Sequence, residues 1–399
     1  MGDSGEKEGQ GLDGRTILHV VPTLAEGRIS RTVLALAAAA AAAGARPIVA
    51  AEKGPLVGDL QAAGGEWVAF DLDGWSPVAA IGNIAHLRGL LDREAVDLVH
   101  VHAHARFAAL SGLLAARFAR IPVIASFHGP PAEGFAGRRL DRTLLGARVV
   151  TAPSRHIAGV LRSGAAAKRV DRIAGISPGF DLTRFAAERI SARERADFRA
   201  IAGLEGSERV IIHHARFHPD KGQVVLVDAV RLLVNGGLDG TVFLIVCDGP
   251  DQPDYRAMLD QRIRAQGLDG VVRLVAAAEA GPAALASAHL AVAPSIAPDP
   301  VGRSAVEAMA MGLPVVASDI GALRDLVTAA PSAPAGEEVG FRVPAGDAMA
   351  LAEAIGRAVE LDPRSRIAMS GRAAARARRF SRPRLQDQMV AIYRRVLAD

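Results

Sequence analysis

Arg216 and Lys221 stand five residues apart, where the β-branched run 210–213 gives way to the turn signal Pro219-Asp220. Two cations at the mouth of a sheet can converge on a diphosphate and offset the charge that builds on a departing phosphate. Lysine occurs only at positions 7, 53, 168 and 221, while arginine supplies every other fixed positive side chain. A lysine kept where arginine serves elsewhere sharpens this reading against its plain alternative, two solvated charges. Two carboxylates, Asp299 and Glu307, bracket a helix start that follows Pro294-Ser295. Carboxylates accept hydrogen bonds from hydroxyls and repel phosphate, so they suit a sugar or ribose beside the basic pair.

Histidines offer the other chemistry. His128 closes the run Ser126-Phe127-His128-Gly129-Pro130 at the end of a strand, where open α/β sheets place ligands. His100, His102 and His104 alternate, which predicts three rings on one side of a strand. Neighbouring strand positions rarely bring three rings onto one ion, and no cysteine or carboxylate follows at ligand spacing, so no metal is expected. A hydrogen-bonding role facing a ligand suits His102 or His104 better. Gly27 lies in the first strand-to-helix turn, 22–30, where a bare backbone can approach a phosphate. The turn lacks GxGxxG, which counts against a nicotinamide or flavin enzyme.

The elements needed to position these residues are legible. Short β-branched runs at 16–21, 47–51, 67–71, 98–101, 123–126 and 148–152 alternate with alanine- and leucine-rich helical stretches. The rhythm repeats at 210–213, 242–246, 271–274, 290–293 and 314–317. Continuous apolar strands separated by helices imply parallel sheets covered on both faces. A chain of 399 residues favours two such domains, with an anionic ligand expected in the cleft between them. The expected division is a polar tail 1–14, a first domain 15–182, a second domain 183–378 and a last helix 379–399 that either stays with the second domain or crosses back to the first. Aromatic residues are only 4% and the net charge is +4, which argues against a nucleic-acid partner. Cys247 stands alone, so an intrachain disulfide or thiolate cluster is excluded.

Residues 294–321 resemble the signature of the retaining glycosyltransferases of the GT-B fold, family 4 in particular. The resemblance rests on Pro294-Ser295, on Asp299 and Glu307 at the spacing of the family's paired glutamates, and on Pro314-Val315-Val316 after an alanine- and glycine-containing stretch. It extends to Arg216, Lys221-Gly222, Asp248-Gly249-Pro250, His128, Gly27, Ala152-Pro153-Ser154 and the run 176–181. The fold so implied is two facing Rossmann-like, doubly wound parallel-sheet domains, the first on the acceptor side and the second binding a nucleotide sugar. The resemblance further implies that Arg216 and Lys221 clamp the donor diphosphate and Glu307 binds the ribose. Asp299 would hold donor-sugar hydroxyls, His128 would lie against the transferred sugar, and the backbone of Gly27, Gly302 and Arg303 would approach the diphosphate. Two positions depart from the family: Glu26-Gly27 stands for a glycine pair, and Asp299 for a glutamate, which withdraws the carboxylate by about 1.5 Å.

The implied activity is retaining transfer of a hexose-type sugar from a UDP- or GDP-sugar to a hydroxyl of a glycan or lipid-linked acceptor, in cell-surface polysaccharide or lipopolysaccharide assembly. No cofactor beyond the donor substrate is expected. Two other readings fit the same residues: a nucleotide-sugar epimerase, and a non-catalytic sugar-nucleotide-binding or partner protein. Arg138, Arg139 and Arg142 beside Phe135 and Leu140 suggest an acceptor-side basic amphipathic surface, or a plain solvated helix. A cytoplasmic location is expected, with peripheral contact at the inner face of the cell membrane.

Overall fold

The computed structural model describes residues 11–70, 77–164 (without the side chains of 77–80), 171–206, 208–247, 249, 252–276, 281–331, 333, 334 and 336–398. Asp248 and Pro250, quoted above, lie outside them. The chain forms two compact units, one ending at Gly179 and resuming at Arg382, the other spanning Phe180–Ser381.

The first unit is a seven-stranded parallel sheet: β1 Thr16–Thr23, β2 Arg46–Glu52, β3 Glu66–Ala69, β4 Leu98–His102, β5 Val123–Ser126, β6 Val149–Ala152 and β7 Ile173–Gly175, in the order β3-β2-β1-β4-β5-β6-β7. The second holds β8 Arg209–Ala215, β9 Thr241–Cys247, β10 Val272–Val275, β11 Leu290–Ala293, β12 Val315–Ser318 and β13 Gly340–Val343, in the order β10-β9-β8-β11-β12-β13. The order reverses between β1 and β4 in one sheet and between β8 and β11 in the other. Crossover connections leave a crevice at such a reversal, beyond the carboxyl ends of the strands, and ligands of doubly wound sheets bind there.

Each face is set by strand alternation. Leu18, Val20, Val99, Val101, Ala125 and Val150 pack in one cluster with Ala109 and Leu113 of the helix Arg106–Ala119. On the opposite face Ile17, Leu98, Ile124 and Val149 pack with Leu36 and Ala40 of the helix Arg28–Ala42. That alanine-rich helix presents little side chain, so it lies close to the sheet.

The same face is completed by the helix Arg382–Ala398, whose buried Leu385, Met389, Ile392, Tyr393 and Val396 recur at helical spacing. Burying each large apolar side chain is worth about 1.5–3 kcal/mol. Two polar contacts fix its register: Gln386 Nε2 donates to the Ala35 carbonyl at 2.8 Å, and the Tyr393 hydroxyl meets His100 Nδ1 at 2.8 Å. Leu12, in the segment read as a polar tail, is also buried in this cluster at 1% exposure. One leucine among charged and glycine residues carries no periodicity, so only the packing reveals it.

The Tyr393–His100 pair is wholly buried, so removing one partner strands the other without water. Tyr393→Phe keeps the ring and deletes the hydroxyl; it is expected to lower unfolding free energy by about 1–3 kcal/mol in urea titrations. A Phe variant as stable as the parent would remove this bond from the account of how the last helix is held.

Candidate functional site

At the reversal point of the second sheet, two loops are tied together. The backbone amide of Ile296, beyond β11, donates to the Asp220 carbonyl, beyond β8, at 2.9 Å. Gly222 has φ of 73°, and a Cβ there would run into the Pro294 carbonyl, so only glycine lets the loops approach this closely. Lys221 Nζ reaches across to Asp299 Oδ2 at 2.6 Å. The other oxygen, Asp299 Oδ1, accepts from the amides of Val301 at 3.0 Å and Gly302 at 2.7 Å, just ahead of the helix Arg303–Ala310. A carboxylate here satisfies two amides that have no partner in the helix and complements the positive end of the helix dipole.

The two side chains are 19% and 10% exposed, so their charges are poorly screened. Burial pushes the Asp299 carboxyl up, but the Lys221 ammonium and the two amides outweigh it and hold the group below the usual range. An aspartate offers about four acceptor positions, and three are engaged, which leaves room for one hydroxyl. One turn further along the helix, Glu307 is buried, with Oε1 3.3 Å from Arg303 Nε and Oε2 3.8 Å from His214 Nδ1. Arg216 is exposed beyond β8, its aliphatic chain beside Gly249, and its carbonyl accepts from Gln223 Nε2 at 2.8 Å. Lys221, Asp299 and Gly302 thus form one hydrogen-bonded group, Arg303 and Glu307 an ion pair, and Arg216 forms no ion pair among the described residues.

In the first unit the face shared by β1, β4, β5 and β6 turns polar toward the carboxyl ends of its strands: Ile17 gives way to His19, Leu98 to His100 and His102, Ile124 to Ser126, Val149 to Thr151. His19 is registered with His100, and His102 with Ser126. His100 Nε2 meets Ser126 Oγ at 2.7 Å, which meets Thr151 Oγ1 at 2.6 Å. His102 Nδ1 lies 2.9 Å from His128 Nε2, and His102 Nε2 lies 3.3 Å from His19 Nδ1. His128 itself is half-buried, and Arg28 Nη2 donates to its carbonyl at 3.3 Å. Gly27 precedes the helix Arg28–Ala42 with open space where a Cβ would stand, which leaves its backbone uncovered.

Burial lowers the pKa of all four rings. His19 falls to about 4; His128 falls to about 3 with help from Arg28 and His104; His100 and His102 fall well below the usual value, helped by their histidine neighbours. All four are neutral imidazoles near pH 7. One ligand nitrogen from each of His19, His100 and His102 lies within 4.8 Å of the others, a grouping that could hold a metal. Both nitrogens of His100 and of His102 already face hydrogen-bond partners, so an ion would have to displace them.

The sequence expectation for position 104 is corrected: β4 ends at His102, and His104 is exposed in the following turn, off the face that His100 and His102 share. Arg138 and Arg139 are exposed on the helix Phe135–Leu144, with Asp141 buried beneath it against Arg106 Nε at 2.8 Å and the Ala132 amide at 2.6 Å. Sequence reasoning missed His19, Tyr393 and His214. Only the parallel pattern of Ile17-x-His19 and Leu98-x-His100 could have signalled His19.

Residues 29–184 match the family described as Glycosyltransferase Family 4, and residues 208–360 the one described as Glycosyl transferases group 1. A D-inositol 3-phosphate glycosyltransferase of Kineococcus radiotolerans is 30% identical over 353 residues, 79% of this chain and 76% of that relative. The chain belongs to glycosyltransferase family 4. Its Saccharomonospora viridis relative of the same description is 32% identical over 238 residues, 57% of this chain and 51% of that protein. Relatives from two Corynebacterium species match over 53% and 51% of their length, so this family-4 chain spans about half the length of those three. Its GT-B fold is shared by a glycosyltransferase of Rickettsia africae, with a TM-score of 0.82 and 21% identity, covering 96% of this chain and 99% of that one. Anabaena Alr3699/HepE, solved with UDP, gives a TM-score of 0.74 and 22% identity, covering 95% and 99%.

The Lys221–Asp299 pair yields a prediction with a defined sign in pH. The folded pKa of Asp299 is depressed, so its stabilisation is present above the unfolded value, about 3.9, and is lost as pH falls through the folded one. Asp299→Asn is expected to cost roughly 1–3 kcal/mol at pH 7 and progressively less below pH 4. In a cycle with Lys221→Met the losses are non-additive. Urea unfolding of the four proteins at pH 7 and pH 3 checks this; additive, pH-independent losses would contradict a coupled pair.

Proposed function

We propose that the chain is a retaining glycosyltransferase that moves a hexose-type sugar from a UDP- or GDP-sugar to a hydroxyl of a glycan or lipid-linked acceptor. The observation that carries the reading is Lys221, ion-paired with Asp299 at the reversal point of the second sheet, beside the amides that open the helix Arg303–Ala310. A lysine already ordered and paired offers a diphosphate a positive charge without the entropy of fixing a free side chain. Arg216, exposed beyond the same strand, is proposed as the second cation on the diphosphate, Glu307 as the ribose ligand and His128 as a contact of the transferred sugar.

In the proposed reaction the acceptor oxygen attacks the anomeric carbon on the face from which the nucleoside diphosphate departs. The bond from that carbon to the leaving phosphate oxygen breaks as the new glycosidic bond forms, and the acceptor proton passes to the departing phosphate. Configuration is retained without a carboxylate nucleophile. Lys221 and Arg216 neutralise the growing diphosphate charge, so this step calls for no metal.

Relatives named for inositol 3-phosphate, phosphatidyl-myo-inositol and 2-deoxystreptamine acceptors support a polyol hydroxyl as the nucleophile. A structural neighbour named for lipopolysaccharide biosynthesis supports a place in cell-surface glycan assembly. Among the described residues no helix is long and apolar enough to cross a membrane. Phe135, 79% exposed, with Arg138, Arg139 and Arg142 on the same helix, supports peripheral contact with an anionic lipid surface at the inner face of the cell membrane.

The test is a calorimetric screen of nucleotide sugars, then mass analysis of products with polyol and lipid-linked acceptors and NMR of the anomeric configuration. Arg216→Ala and Lys221→Ala are each expected to lower kcat/KM roughly a hundredfold, with a double variant no worse than tenfold below either. Glu307→Gln should weaken every donor that shares the nucleotide, whereas Asp299→Glu should alter preference among sugars. An inverted product would overturn the retaining mechanism, and unimpaired turnover in Lys221→Ala would overturn the diphosphate clamp.

A further inference from the structure

The three imidazoles His128, His102 and His19 form a continuous row, in which each link joins one ring's Nε2 to the next ring's Nδ1. A neutral imidazole carries one proton, so a ring flanked by two others must donate to one and accept from the other. His102, wholly buried between its neighbours, is such a ring. The row therefore has a single direction, and only two arrangements exist.

If His128 donates inward, every proton shifts one place along and the last one sits on His19 Nε2. That atom is buried and has no hydrogen-bond partner. If the row runs outward, His19 Nδ1–H donates to His102 Nε2 and His102 Nδ1–H donates to His128 Nε2. His19 Nε2 is then a bare lone pair, and the His128 proton lies on Nδ1, at the half-buried end of the row. Among backbone groups a buried N–H without an acceptor is rarer than an under-satisfied acceptor, and the same preference carried over to His19 Nε2 favours the outward direction.

We infer that His102 is a positioning residue: by donating from Nδ1 to His128 Nε2, it fixes His128 in the tautomer that presents Nδ1–H as a donor to an oxygen of the ligand. The inference rests on the reading of His128 as a contact of the transferred sugar. A fixed donor suits a sugar hydroxyl or ring oxygen and discriminates against a group that can only donate. The depressed pKa values of all three rings agree with a neutral row. The arrangement also gives a use to two histidines that lie too deep to touch a ligand themselves: both are 0% exposed.

Long-range proton–nitrogen NMR on the full chain, labelled with nitrogen-15 in histidine, reads which nitrogen of each ring carries the proton; His128 is assigned by the loss of its signals in His128→Gln. The expected spectrum shows His128 and His102 both protonated on Nδ1. A His128 protonated on Nε2 in the unaltered protein would overturn the inference, and this measurement needs no variant of His102. In His102→Leu the tautomer preference of His128 should disappear and kcat should fall roughly tenfold, the size of one hydrogen bond. His102→Asn, whose amide nitrogen occupies the place of Nδ1, should restore the tautomer and most of the rate. Equal losses in both variants would show that His102 acts only through packing. If His128 carries Nδ1–H but His128→Gln transfers sugar at the unaltered rate, the sugar-contact reading fails while the positioning of His128 by His102 stands.

Discussion

A lysine and an aspartate that meet at 2.6 Å with little water around them set a constraint on everything nearby. Two buried charges are stable only while each is compensated, because removing either leaves the other stranded. The loop after β8 and the loop after β11 must therefore stay in register, and the backbone is built for that. Gly222 admits the Pro294 carbonyl, the Ile296 amide bonds to Asp220, and Ala322 N–H donates to the Asp299 carbonyl at 2.8 Å. The carboxylate that holds the lysine also opens the helix bearing Glu307, so a cation, a row of amides and a second carboxylate are set by one ion pair.

The first unit answers the same topological demand with neutral groups. Its sheet also reverses order beside its first strand, but the carboxyl ends there carry imidazoles and hydroxyls rather than fixed charges. Four neutral rings and two hydroxyls bury more easily than ions, provided their hydrogen bonds are made. Tyr393 supplies one of those bonds from the far end of the chain, so closing the C-terminal helix over the sheet also completes the polar network beneath it. Stability and site geometry are coupled in this unit through His100 and its neighbours.

Most of the fold was legible because continuous apolar strands and helical spacing are local signals. All eleven strands expected from the sequence fall on observed ones. The two missed, β7 and β13, are edge strands of three and four residues, each with only part of its surface buried, so neither carries a continuous apolar run. The chemistry was partly legible: residue types and spacing drew attention to Arg216, Lys221, Asp299, Glu307 and His128. Hydrogen-bond assignments were out of reach. That Asp299 accepts from the amides ahead of a helix depends on the turn at Val301 and Gly302, and that His19 joins His102 depends on strand register. His104 was misplaced because alternation was carried two residues beyond the end of β4, and the destination of the last helix depended on which apolar face remained uncovered.

Where a nucleoside diphosphate binds is the central question, and a crystal structure of the protein with UDP or GDP decides it. The diphosphate is expected beyond the carboxyl ends of β8 and β11, with Lys221 Nζ and the Arg216 guanidinium within hydrogen-bonding distance of its oxygens and Glu307 on the ribose. A diphosphate bound elsewhere, with Lys221 Nζ and the Arg216 guanidinium both remote from the phosphates, would contradict this placement.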